Sequence, residues 1–115
     1  VSSIGGLKGN TIIGAYGISK AADFALARNL ACEYGVHNIR VNCIAPGLIR
    51  TDFAKALWDN PVAEEGFNKR HPMRRMGVSR DIAGAAVFLA SPAAAYVNGQ
   101  QIVVDGGMVI DGGMI

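Results

Sequence analysis

Between Ala15 and Tyr34 the chain reads "AYGISKAADFALARNLACEY", rich in Ala and Leu and free of Pro, with Gly35 beyond it as a residue able to leave a helix through the left-handed region. The pattern predicts one long helix. Its charges, Lys20, Asp23, Arg28 and Glu33, are too few to cover a whole face, so packing is expected on more than one side, against a sheet and against a partner. In "NIRVNCIAPG" the pattern changes: Ile39 to Ile44 reads as a buried, β-branched strand ended by the Pro46-Gly47 turn. Residues 47 to 78 are irregular, with one helical pattern in "TDFAKALW" and another opened by Asn60 as N-cap and Pro61 at the first helical position. A third helix is expected from Ser79, as N-cap with Asp81 in its first turn, to Ser91, where Pro92 stops it. "GQQIVVDGG" supplies a last short strand at Gln101 to Val104, and the tail repeats "VVDGGM" as "VIDGGM", a strand-end duplication too short for a structural repeat. Strand and helix in alternation point to an α/β fold, and an insertion as long as 48–78 beside a sheet usually covers a binding site.

At 115 residues the chain fits one small domain, which buries roughly two thirds of its unfolded surface. With 50% apolar and only 17% charged residues, part of that surface is expected to meet protein. A net charge of +2 gives no reason to expect nucleic acid or an anionic membrane as partner, and the basic "KRHPMRRMG" reads as solvated loop in preference to an anion site. No membrane-length apolar run and no leader pattern are visible, so a soluble, cytoplasmic protein is expected. Cys32 in the helix and Cys43 in the strand have neither metal-type nor disulfide spacing; both are expected to be buried thiols, and no metal site is expected.

Tyr16 and Lys20 stand four apart, which on a helix turns them about 40° from each other and separates them by about 6 Å of rise, on one face. An ordinary phenol holds its proton to about pH 10. A cation 4 Å away is worth about 4 kcal/mol at an effective dielectric of 20, enough to bring proton exchange towards neutral pH. Taken alone, the pair reads as a half-buried helix tyrosine and a solvated lysine in preference to a catalytic pair. Ser3, thirteen residues before Tyr16, changes the weighing.

Ser3, Tyr16 and Lys20, followed by "NIRVNCIAPGLIRTD" and "GQQIVVDGG", resemble the short-chain dehydrogenase/reductase family over essentially the whole chain. "RVNCIAPGLIRTDFAKALW" looks most like its carbonyl and retinal reductases that use NADP. The resemblance implies the C-terminal portion of a Rossmann-like doubly wound parallel sheet, an NAD or NADP cofactor with NADP favoured, a small carbonyl or secondary alcohol substrate, and a homodimer or homotetramer. It implies Tyr16 as proton donor and acceptor, Lys20 beneath it and on the nicotinamide ribose, and Ser3 on the substrate oxygen. Pro46 and Gly47, the backbone at Ile49 and the Thr51 hydroxyl would meet the nicotinamide amide; a plain turn with Thr51 as a helix N-cap is the alternative. Tyr16 and Lys20 would thus touch cofactor as well as substrate.

Ser2 would face away from Ser3 and satisfy backbone. Asn42 reads as structural, His37 and His71 as ordinary loop histidines, and Phe53, Leu57 and Trp58 as packing in preference to a substrate wall. The family's Gly-rich T-G-x-x-x-G-x-G turn, its N-N-A-G strand end and its catalytic Asn are not among these 115 residues, so a missing N-terminal half is the expected partner. A non-catalytic remnant that keeps only assembly surfaces is the rival reading.

Overall fold

In a computed structural model that describes residues 1–111, helices and strands alternate as the pattern requires. Helix α1 spans Gly14–Tyr34, strand β1 Cys43–Pro46, α2 Lys55–Trp58, α3 Pro61–Arg70, α4 Ser79–Ala90 and β2 Gln101–Val104. Short 3-10 turns lie at Ile4–Gly6, Gly35–His37, Asp52–Ala54 and Pro92–Ala94. Among the described residues no helix is long and apolar enough to cross a membrane.

The helix ends show which local signals act. Before α1, the Asn10 side-chain oxygen accepts from the Ile12 and Ile13 N–H groups at 2.8 and 2.9 Å, satisfying donors the helix itself cannot. At its far end α1 stops before Gly35 as expected, but not by the left-handed route: Gly35 stays right-handed, the chain adds a 3-10 turn, and Asn38 takes the left-handed conformation at φ 57. Asn60 caps α3 as expected, accepting from Val62 N–H at 3.0 Å. The N-cap of α4 is Val78 and not Ser79, because Asp81 reaches back from inside the helix to accept the Val78 N–H at 2.8 Å.

β1 and β2 pair in parallel, Cys43 opposite Gln101 and Pro46 opposite Val104. The strand is later and shorter than Ile39 to Ile44. Val41 N–H donates instead to the Asn98 side chain at 2.8 Å, and Asn42 bridges Val97 O and Gln100 N–H at 2.9 Å each. Asn42 is therefore structural, holding the entry to the sheet. On the other edge of β1, Ser2 N–H donates to Ile44 O at 2.7 Å. Past the strand ends the two chains close up: a Cβ on Gly47 would lie 2.8 Å from Asp105 Cα, so only glycine fits there.

Ile4, Phe24, Ala27, Cys43 and Ala45 form the core, with Val41, Met108 and Val109 against it. α1 packs on this sheet by one side only; on the other, Ile18 is 74% and Leu26 57% exposed. Cys43 is buried as expected, and burial pushes its thiol up. Cys32 is exposed, against expectation, because it lies on the uncovered side of α1 next to buried Ala31. In the tail, Asp105 accepts from Gly107 and Val109 N–H at 2.8 and 2.7 Å, while residues 112–115 of the second "DGG" copy lie outside the described residues.

The basic stretch is less solvated than its composition suggests. His71 is buried, its Nδ1 accepting from Met73 N–H at 3.2 Å and its Nε2 2.9 Å from Asp105 O, so it ties the loop to the end of β2 and is no ordinary loop histidine. Met76 is buried as well, and Arg75 holds Asp81 with two nitrogens at 2.7 and 3.0 Å. The Arg75 guanidinium, with Val78 N–H, keeps the Asp81 carboxyl at about 2, below its ordinary 3.8. A carboxyl lowered on folding contributes stability that is complete above its ordinary value and disappears as pH falls through the lowered one. The melting-temperature deficit of an Asp81→Asn variant should thus be full at about pH 6 and shrink between about pH 4 and 2. A deficit that stays constant down to acid pH would show that the pair adds nothing charge-dependent.

Candidate active site

Tyr16 and Lys20 occupy the first turns of α1 and share a face. The Lys20 ammonium lies 5.6 Å from the centre of the Tyr16 ring, within reach of its electron-rich face, and 3.6 Å from Asp23 Oδ2. Ser3 is the N-cap of the turn Ile4–Gly6, its hydroxyl oxygen accepting from Gly5 N–H at 3.0 Å. That leaves its own O–H to donate elsewhere. The serine and the phenol border one point: a Cβ on Gly5 would lie 3.4 Å from Ser3 Oγ and 3.2 Å from Tyr16 Cε1. Ser2 alternates to the other side, where its buried hydroxyl donates to Lys20 O at 2.8 Å, the backbone-satisfying role expected of it.

A second arm leaves β1 at Pro46 and Gly47. Ile49 bridges Gly77 in parallel, with Gly77 N–H donating to Leu48 O at 3.0 Å and Arg50 N–H to Gly77 O at 2.9 Å. Since those bonds use the residues on either side, the N–H and C=O of Ile49 itself face away from Gly77, the carbonyl towards the Thr51 hydroxyl. Thr51 caps the turn Asp52–Ala54, its hydroxyl 3.4 Å from both Ala54 N and Ile49 O, so the N-cap reading describes its place here. Both arms start at one end of the sheet, because residue 2 pairs beside Ile44, two residues before β1 ends at Pro46.

The segment 48–78 is tied down at Trp58, which donates to Thr51 O at 2.9 Å beneath the Arg50 guanidinium, 4.6 Å from its ring; Arg50 also meets Glu64 at 3.4 Å. Trp58 packs as read. Phe53, 92% exposed, and Leu57 do not, since they project from the outer side of the same two turns. A cavity of about 160 Å³ beneath the segment is lined by Ile49, His71, Met73 and Asp105, among others, and by none of Ser3, Tyr16 and Lys20. Among the described residues no three His, Cys, Asp or Glu side chains gather as a metal site would require.

Sequence reasoning passed over Gly5, Gly6, Gly17 and Asp23. Two glycines one residue beyond a Ser pair, and one inside an Ala-rich helix, were the available signals. Asp23 carried no signal beyond its spacing of three from Lys20.

Residues 1–109 match the family model described as enoyl-(acyl carrier protein) reductase. The chain is 44% identical to the rabbit (Oryctolagus cuniculus) dehydrogenase/reductase SDR family member 4 over 107 residues, 93% of this chain and 41% of that relative. It is similar in structure to a short-chain type dehydrogenase/reductase from Mycobacterium ulcerans, with TM-score 0.87 and 40% identity over 95% of this chain and 40% of that one. A putative 2-deoxy-D-gluconate 3-dehydrogenase from Agrobacterium tumefaciens with bound NADP has TM-score 0.87 and 40% identity over 94% of this chain and 44% of its own. The chain thus spans about two fifths of the length of the curated relatives it matches.

Proposed function

This chain belongs to the short-chain dehydrogenase/reductase family, and from that premise we propose that the protein it builds is an NAD(P)-dependent oxidoreductase interconverting a carbonyl and a secondary alcohol. The observation that carries the reading is the meeting of the Ser3 hydroxyl and the Tyr16 phenol at Gly5, with the Lys20 ammonium over the phenol ring. A bound nicotinamide supplies or receives the hydride. Ser3 donates to the substrate oxygen and holds it beside Tyr16, which gives that oxygen a proton in reduction and takes it back in oxidation. Asp23 holds Lys20 only at 3.6 Å and at an accessible position, so ribose hydroxyls can replace it as the partner of the ammonium. Pro46 and Gly47 turn the chain so that the Ile49 backbone and the Thr51 hydroxyl can hold the carboxamide.

Segment 48–78 is the substrate cover in this reading, with Phe53 and Leu57 as its outward apolar groups. NADP is the preferred cofactor, a choice supported by the NADP bound to the Agrobacterium neighbour. The uncovered side of α1 and half-exposed Val103 on β2 support a dimer or tetramer, and two free thiols support a cytoplasmic setting. The test uses the full-length protein: fluorescence titration with NADPH and NADH, then cofactor oxidation against a panel of ketones and aldehydes. Tight binding and turnover with NADPH is the expected result. A protein that binds neither dinucleotide overturns the reading in favour of a non-catalytic assembly fragment.

A further inference from the structure

The turn carrying Ser3 lies directly on the backbone of α1, and glycines on both partners make that approach possible. A Cβ on Gly17 would lie 2.8 Å from the Gly5 carbonyl oxygen; one on Gly6 would lie 2.7 Å from Ala21 N and from Lys20 C. Neither obstacle is the end of a flexible side chain, so a methyl group at either place must push the turn and the helix apart. Glycine is a poor choice for the second turn of a helix, and in an Ala-rich sequence it needs a local reason. Gly14, one turn earlier, has open space where its Cβ would be, so the restriction belongs to Gly17 and not to the whole start of α1. The contact also lies inside the pair it would govern, since Gly17 follows Tyr16 and Gly5 lies two residues beyond Ser3.

We propose that Gly17 is a positioning residue: its missing side chain sets how closely the Ser3 turn approaches α1, and so fixes the Ser3 hydroxyl against the Tyr16 phenol. Ser2 reinforces the same contact by donating to Lys20 O at 2.8 Å, which locks the turn along the helix while leaving its height above α1 to the glycines. The inference rests on the oxidoreductase reading, because it gives Ser3 and Tyr16 a shared substrate oxygen. A small misplacement of a positioned group weakens the chemical step far more than it weakens binding of a cofactor held elsewhere.

The test is a double-mutant cycle in the full-length enzyme with Gly17→Ala, Ser3→Ala and both together, reading kcat, carbonyl KM, cofactor dissociation constant and melting temperature. Gly17→Ala should lower kcat by about tenfold to a hundredfold with cofactor binding nearly unchanged, and should add less than about twofold to the loss already caused by Ser3→Ala. A role in stability alone predicts the same factor on both backgrounds, and that result overturns the proposal; so does a fully active Gly17→Ala enzyme. If Gly17→Ala does not accumulate in folded form, Gly6→Ala takes its place in the cycle with the same two outcomes, since its Cβ would meet Ala21 N and Lys20 C at 2.7 Å and so press the same turn off α1. A wild-type protein that moves no hydride would instead remove the oxidoreductase reading on which the cycle depends.

Discussion

Tyr16→Phe in the full-length enzyme is expected to lower kcat by about a thousandfold and to leave cofactor affinity within about twofold. The substitution keeps the ring under the Lys20 ammonium and the edge contact at Gly5, and removes only the hydroxyl that carries the transferred proton. Lys20→Ala should behave differently, weakening both turnover and cofactor binding, because in the proposed reading the ammonium serves the phenol and, in place of Asp23, the ribose hydroxyls. Steady-state rates and a fluorescence titration on the two variants separate these roles. A Tyr16→Phe enzyme with more than about a tenth of wild-type kcat would remove Tyr16 as the proton donor.

Expressed without the further length its relatives carry, the 115-residue chain is expected to unfold without a sharp transition and to bind NADPH at least about a thousandfold more weakly than the full-length protein does. Its radius of gyration is 15.5 Å, against about 13 Å for a self-contained domain of this size. Its longest extent is 51 Å against 29 and 26 Å across. The sheet of the described residues has two parallel strands, and parallel strands are stable when covered on both faces. Ile12 at 90%, Ile18 at 74% and Val87 at 68% exposure leave apolar surface that needs further protein to cover it. Calorimetry and a dye that reports exposed apolar surface test the first half, and dinucleotide titration the second. A cooperative melt with micromolar NADPH binding would show a domain sufficient in itself.

The parts legible in the sequence were those with a strong local cause. α1 follows from twenty residues of Ala- and Leu-rich pattern without Pro, α3 from Asn60-Pro61, and β2 from a β-branched run bounded by glycines. The ends were less legible because they are decided by competition between neighbours: Asn38 and not Gly35 takes the left-handed position, and Asp81 moves the N-cap to Val78. β1 was placed too early because Ile39 and Val41 have the right side chains, whereas the backbone there is claimed by Asn98 and Gly99, more than fifty residues away. His71 and Cys32 failed for a similar reason, since their burial depends on what crosses them in space. Of the candidate site, the spacing of Tyr16 and Lys20 was visible from helix geometry alone. The glycine contact that brings Ser3 to them was not, because it is made between two backbones and involves no side chain.

The bridge from Asn42 to Gln100 joins residues 58 apart, and the whole parallel pairing of β1 with β2 shares that separation. During synthesis α1 can coil as soon as it leaves the ribosome, while β1 must wait with one edge open until Gln101–Val104 arrive. Closing so long a loop is slow relative to helix formation. The arm at Pro46-Gly47 is therefore expected to be fixed after α1, when Asp105 comes up against Gly47 and His71 finds its carbonyl. A ribosome stalled before residue 100 would hold a chain with its tyrosine and lysine already in register on a helix and the Pro46-Gly47 arm still unsupported beside them.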